Sequence, residues 1–426
     1  MDIKTGSYII FKYTSKFLQN LFNCLKWKIF NNTLCLKSEY LDWMFKNNIT
    51  DSKDYVEISD DNITLTSKDT KLITFYLPQY YENEVNNKYF GKGFMEWYNT
   101  TKSIPQYTGH NQPQLPIDVG FYNLSHPDTM YRQIELAKKY GIYGFCFYYY
   151  WFSGDRLLEK PLDMFLENKD LNMPFCLFWA NETWSNIWGR KKDKEIIKKQ
   201  ELLDGDDERF VNDILKYFKD ERYIKINNKP LLIIYRANLF EEEKFQKFLI
   251  SIKLKVKENG FDGIYILTTD VQHRGVDIDN LDIDGVVEFS HQDMVTSEYS
   301  DLLNLKGRFV NPNFRGRVID IKKLLGENRH LANKDYKLYK CPAAGWDNSA
   351  RKAYTNATVF HMTPNDFKKW LSDDIKWTKE HNSEDEQIVF IDSWNEWAEG
   401  AHLEPDQKYG YAYLQAVKDA LEENRE

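Results

Sequence analysis

Ile388-Val389-Phe390-Ile391-Asp392-Ser393-Trp394-Asn395-Glu396-Trp397-Ala398-Glu399-Gly400 is an apolar run that ends in carboxylates and indoles. A short apolar run of this kind reads as a strand buried on both faces. A strand that finishes in acids and flat aromatics has the chemistry of a sugar site. Carboxylates protonate a glycosidic oxygen and accept protons from hydroxyls, and Trp faces stack on the C–H faces of a pyranose. Taken alone, the segment also reads as two core Trp and two solvated Glu, so the decision rests on whether the pattern recurs.

It recurs from residue 71 onward. Candidate strands are Leu72–Leu77, Tyr143–Tyr148, Pro174–Trp179, Leu231–Tyr235, Ile264–Leu267, Gly285–Phe289, Lys337–Cys341 and Ile388–Ile391. Helical patterns lie between many of them. His126-Pro127-Asp128 opens one that stops at Gly141, and Asp207–Phe218 and Glu241–Glu258 are apolar-periodic. Thr363-Pro364-Asn365-Asp366 supplies an N-cap, a first-turn proline and an acid, and Tyr413–Leu421 closes the chain. Parallel strands joined by crossovers over this length predict an α/β fold, a (β/α)8 TIM barrel with insertions and an N-terminal extension. The competing doubly wound sheet needs a Gly-rich phosphate loop after its first strand, where this chain has Pro78-Gln79-Tyr80-Tyr81.

In such a barrel the active-site face is made by the loops after each strand. Polar and aromatic residues gather there repeatedly. The first strand is followed by Gln79 and Tyr80 and then a loop with Glu96 and Trp97; the second ends in Tyr149 and Trp151; the third in Trp179, Asn181 and Glu182. Arg236 follows the fourth, Asp270, Gln272 and His273 the fifth, Glu288 and His291 the sixth, and Trp346, Asp347, Asn348 and Arg351 the seventh. The eighth brings Asn395, Glu396, Trp397 and Glu399. Each group alone is a packed aromatic or a capping acid; their recurrence on one face favours a carbohydrate ligand.

Composition narrows the rest. The chain has 426 residues, 42% hydrophobic and 29% charged, which is a globular balance, and its formal net charge of −8 argues against non-specific nucleic-acid binding. The cysteines Cys24, Cys35, Cys146, Cys176 and Cys341 are widely spaced with no CxxC pair, and read as reduced, packed thiols. The His residues show no metal-ligand spacing, P-loop and GxGxxG are absent, and the acidic pairs Asp204/Asp206, Asp277/Asp279 and Asp282/Asp284 are what chance gives in an acid-rich chain. No metal and no cofactor is expected. Residues 1–50 carry seven Lys against Asp2, Glu39 and Asp42, interleaved with apolar side chains. They read as basic amphipathic helices that rest on an anionic membrane surface or pack on the main domain or a partner. With the polar connection after them they form an extension over residues 1–70, ahead of a catalytic barrel over residues 71–426. No signal-like apolar core is present, so a cytoplasmic location is expected, peripheral to the inner face of the membrane only if residues 1–50 rest on that surface.

Leu77-Pro78-Gln79-Tyr80, Gly91-Lys92-Gly93-Phe94-Met95-Glu96-Trp97, Tyr140-Gly141-Ile142-Tyr143-Gly144-Phe145, Phe175-Cys176-Leu177-Phe178-Trp179-Ala180-Asn181-Glu182, Trp346-Asp347-Asn348 and Asn395-Glu396-Trp397-Ala398-Glu399-Gly400 together resemble the glycoside hydrolase family 99-like, or WbsX-like, proteins found with bacterial O-antigen and capsule biosynthesis genes. The likeness runs from about residue 71 to 415. It implies a (β/α)8 barrel and, through the related endo-α-mannosidases, retaining cleavage of an α-mannoside. In that route one Glu deprotonates the substrate's 2-hydroxyl, which attacks the anomeric carbon, and a second Glu is general acid and then base. By position Glu396 takes the first role and Glu399 the second. The implied partner is an oligo- or polysaccharide, lipid-linked forms included. The alternatives are a glycosyltransferase of polysaccharide biosynthesis on the same barrel and a non-catalytic sugar-binding protein.

Overall fold

Eight parallel strands form the centre of the molecule: β1 Lys71–Tyr76, β2 Gly144–Phe152, β3 Phe175–Trp179, β4 Lys229–Ile234, β5 Tyr265–Thr269, β6 Gly285–Val287, β7 Leu338–Tyr339 and β8 Ile388–Ile391. The computed structural model describes residues 41–46, 52–186, 195–270, 281–289, 299–301, 305, 309–352 and 355–425. Apart from residues 41–46, the basic segment expected over residues 1–50 lies outside them, as do Gln272, His273, Asp277, Asp279 and His291.

The strands hydrogen-bond in the order β7-β6-β5-β4-β3-β2-β1-β8. Closure comes from Phe390 N to Lys340 O at 2.9 Å and Asp392 N to Pro342 O at 3.1 Å, which join β8 to the chain after β7. The sheet is therefore a (β/α)8 barrel, as the strand count predicts. Its strands are predominantly apolar because one face meets the lumen and the other the helices. Phe75 sits in the lumen with ring centroids of Phe178, Phe289, Phe390 and Tyr148 at 5.0, 5.7, 5.8 and 5.9 Å. This aromatic plug fills the barrel and becomes the floor of what lies above it.

The outer helices are α1 Asp128–Lys139, α2 Lys160–Glu167, α3 Asp206–Phe218, α4 Glu242–Glu258, α5 Ile321–Gly326, α6 Pro364–His381 and α7 Ala412–Glu423. Helix α6 starts with a capping box, Thr363 and Asp366 each satisfying the other's backbone, with Pro364 in the first turn. It buries Phe367, Trp370, Leu371 and Ile375. Residues 52–70 lack long elements yet pack on the barrel: Val56 N donates to Tyr409 O at 3.1 Å, and Ile63 enters the core.

Between β6 and α6 the chain adds a parallel ribbon, Arg315–Asp320 against Thr355–His361, with its own small core of Tyr107, Phe314, Val318, Ala357 and Val359. Gly316 permits it: a Cβ there would lie 2.3 Å from the Phe314 ring and 2.8 Å from Ala357 O. The ribbon was not legible in the strand count, and it forms one wall of the site.

Candidate active site

A cleft of about 590 Å³ opens at the carboxyl ends of the strands. Its floor is the top of the lumen plug, Tyr148, Phe178 and Phe289, and its walls include Phe90, Phe94, Tyr150, Trp184, Tyr235 and Trp346. Glu96, Glu396 and Glu399 also line it, together with Arg351.

The segment after β8 sets the acid pair. Asn395–Glu396 pairs antiparallel with Ala401–His402, and a single turn, Trp397–Glu399, lies between. Gly400 ends the turn at φ 62° beside Asp347; a Cβ there would be 2.8 Å from Asp347 Cβ and 2.9 Å from its nitrogen. Both Glu carboxylates thereby reach one cation. Arg351 Nη1 is 2.8 Å from Glu399 Oε1, Nη2 is 3.8 Å from Glu396 Oε1, and Nε donates to Glu96 Oε1 at 2.8 Å. Tyr148 and Ser393 hydroxyls each lie 3.4 Å from Glu396 Oε2.

These contacts fix the charges. Burial, then the adjacent Glu399 charge, pushes Glu396 well above the usual carboxylate range, against the pull of Arg351. Burial opposes the charge on Arg351, but Glu96, Glu399 and Glu396 outweigh it and hold the guanidinium well above its usual range. The cluster thus sets one permanent cation among three carboxylates, of which Glu396 is held to its proton by burial.

Beneath the turn sits Glu404, which the motif reading missed because it lies ten residues after Trp394 in an irregular stretch. Its carboxylate is 1% exposed and accepts from Gln133 Nε2 at 2.6 Å, Trp397 Nε1 at 2.7 Å, Tyr122 hydroxyl at 2.9 Å and Trp394 Nε1 at 3.1 Å. Burial raises it to about 7 in spite of these donors. Both indoles of the segment are spent on this anchor.

A family model described as Glycosyltransferase WbsX matches residues 72–417. The chain belongs to the WbsX family. Two proteins of Xanthomonas campestris pv. campestris, from strains ATCC 33913 and B100 and each called uncharacterized protein WxcX, are 36% identical to it over 350 residues, 82% of this chain and 49% of theirs. The chain spans about half the length of the curated relatives it matches. Among solved structures, a glycoside hydrolase-like protein superimposes at a TM-score of 0.52 with 14% identity, over 86% of this chain and 98% of that one, and shares the fold. A GH99 endo-alpha-mannosidase from Bacteroides thetaiotaomicron gives 0.49 with 14% identity, over 84% and 98%.

Within this WbsX chain the residues expected in the site separate into two sets. Gln79, Glu96, Glu182, Trp346, Asn348, Glu396 and Glu399 line the cleft. The others stand behind it. Tyr149, Trp151 and Trp179 face the helices, with Trp179 against Phe210 and Phe248, because side chains alternate along a strand and their neighbours Tyr148, Tyr150 and Phe178 take the lumen side. Glu288 points the same way and is paired with buried Lys340 at 3.0 Å, while Phe289 faces inward. Tyr80 bridges Asn395 O at 2.5 Å and Trp397 N at 3.2 Å, and Asn395 holds the Leu77 backbone at 2.7 Å. Trp97 donates to Tyr122 O at 2.9 Å, and Asn181 accepts from Arg236 N at 2.8 Å while Arg236 pairs with Glu182 at 2.7 Å. Asp347 accepts from Gln112 at 2.6 Å and lies 2.7 Å from His110 Nε2, facing a second cavity behind Trp346.

Among the described residues no group of three His, Cys, Asp or Glu is placed to hold a metal ion, and no helix is long and apolar enough to cross a membrane. Cys146, Cys176 and Cys341 are free and buried.

Proposed function

We propose that this chain is a carbohydrate-active enzyme that breaks an α-linked, mannose-like glycosidic bond with retention, using Glu396 as base on the sugar's 2-hydroxyl and Glu399 as acid and then base. The observation that carries it is the pair's common placement: both acids line one aromatic-walled cleft and share Arg351. In the first step Glu396 takes the O2 proton as O2 attacks C1, while Glu399 gives its proton to the departing oxygen. In the second, Glu399 takes a proton from the incoming hydroxyl as its oxygen bonds to C1, the O2–C1 bond breaks, and Glu396 returns its proton to O2. Burial and the neighbouring Glu399 charge favour the protonated form of Glu396, so Glu396 acts as base only after it has lost that proton.

The same steps move the glycosyl unit to a saccharide hydroxyl when that, rather than water, enters in the second step. The family description favours this version. The test is turnover of α-mannosides and α-manno-oligosaccharides with and without an acceptor saccharide, with the product anomer read by proton NMR. Glu396→Gln and Glu399→Gln are each expected to lower turnover by roughly 10²–10⁴ with far-UV circular dichroism unchanged. Near-normal turnover in both variants, or an inverted product, removes the mechanism; a purely hydrolytic product removes the transferase version.

A further inference from the structure

The cleft has an acidic pole and a basic wall. Glu96, Glu396 and Glu399 converge on Arg351, and Glu182 is paired with Arg236 at 2.7 Å. The inserted ribbon contributes Arg317, and the short helix Ser349–Lys352, which also carries Arg351, contributes Lys352. Arg317 differs from the other charged groups lining the cleft. Among the described residues its hydrogen bond is to a hydroxyl, Nη2 donating to Thr358 Oγ1 at 3.1 Å, and no carboxylate faces it.

The Arg317 side chain is exposed, and the ribbon that carries it is fixed from behind. Thr358 N donates to Asn348 Oδ1 at 2.8 Å and Asn348 N to Thr358 O at 3.3 Å, while Asn348 O accepts from Arg351 N at 3.1 Å and Lys352 N at 2.8 Å. The ribbon carrying Arg317 is thus laced to the turn that carries the cation of the acid cluster. At its other end it is tied to Gln106, whose carbonyl accepts from Val310 N and Asn311 N, both at 3.0 Å. A closed barrel needs no such ribbon, and what it adds to the cleft is a guanidinium with most of its five donors unspent.

We propose that the substrate is an acidic saccharide whose oxyanion, a phosphate ester or a sugar carboxylate, seats on Arg317. This names a substrate class for the reading above and rests on it. A guanidinium fork matches the paired oxygens of phosphate or carboxylate, and such charge-assisted bonds are about twice as strong as neutral ones. The acidic pole repels the same group, so charge alone orients the sugar, anionic substituent to the ribbon and scissile bond to the Glu pair. A neutral saccharide gains only the weaker hydrogen bonds that its hydroxyls accept from this wall.

Binding is measured rather than turnover, so that failure here and failure of the Glu396 and Glu399 roles are seen separately. The full chain is titrated at low salt with methyl α-mannoside, mannose 6-phosphate, methyl α-mannosiduronate and inorganic phosphate, with the thermal midpoint as readout. The expected result is about tenfold tighter binding of at least one charged sugar than of methyl α-mannoside. Arg317→Gln brings that sugar down to the neutral one's affinity, and Arg317→Lys restores part of the difference. A preference for the phosphorylated sugar identifies a phosphate ester, and one for the uronoside a carboxylate. Equal affinity for neutral and charged sugars, no detectable binding of either charged sugar, or a preference that survives Arg317→Gln overturns the proposal.

Discussion

Replacing Glu404 by glutamine changes one atom of the group that anchors both indoles beneath the acid pair. Glu404 Oε1 accepts from Gln133 and Trp394, and Oε2 from Tyr122 and Trp397. In the Glu404→Gln variant one of these two oxygen positions becomes an N–H donor. Tyr122 can reverse its hydroxyl, but an indole N–H cannot, so at least one buried indole loses its acceptor, at a cost of about 1–3 kcal/mol. The effect depends on pH. Burial raises Glu404 from 4.5 to about 7, so the folded protein holds this proton more tightly than the unfolded chain. A carboxyl raised in this way contributes stability that is fully present below about 4.5 and is lost as pH climbs to about 7. Between pH 5 and 7.5 that loss is about 2–3 kcal/mol, or roughly 3 °C in unfolding midpoint for a chain of this size. The glutamine has no such proton. The wild-type advantage over Glu404→Gln should therefore be widest near pH 5 and shrink by that amount by pH 7.5, as read from paired thermal unfolding curves followed by indole fluorescence. A difference between the two proteins that stays constant over this range, or widens toward pH 7.5, would refute the assignment of a buried, proton-holding carboxylate.

Arg351→Gln leaves Glu96, Glu396 and Glu399 without their cation, so turnover should fall by roughly 10²-fold and the acidic limb of the pH–rate profile should move upward, since the carboxylates lose a charge that favours ionisation; a profile that keeps its position would count against Arg351 as their common partner. Lys340→Met strands Glu288, whose amine partner is fully buried at 3.0 Å, and should cost about 3–5 kcal/mol in denaturant unfolding, with part recovered by adding Glu288→Gln. Gly316→Ala drives a Cβ to 2.3 Å from the Phe314 ring and should destabilise the ribbon by roughly 1–3 kcal/mol. It should also weaken binding of charged sugars while leaving the barrel's circular dichroism unchanged.

Much of the architecture could be read without coordinates. All eight strands and the long helices fall where apolar runs and end signals put them, because a strand buried on both faces must be predominantly apolar and a helix such as α6 announces its start through Thr363, Pro364 and Asp366. The site was legible in outline only. A continuous apolar strand carries no alternation, so the sequence offers no sign of which parity meets the lumen. Tyr148, Tyr150 and Phe178 line the cleft, and Tyr149, Trp151 and Trp179 pack on the helices, although both sets are equally aromatic. The indoles of Trp394 and Trp397 look like sugar platforms in the sequence and are instead hydrogen-bonded to Glu404.

The primary structure thus determined the barrel, the family and the location of Glu396 and Glu399 on one turn, since each depends on patterns within a few neighbouring residues. Tertiary structure decided which aromatics face the cleft, that Arg351 from the seventh strand's loop and Glu96 from the first's meet the acid pair, and that the ribbon adds Arg317. Those outcomes require distant groups such as Glu96 and Arg351, 255 positions apart, to be brought into contact, and only closure of the barrel does that.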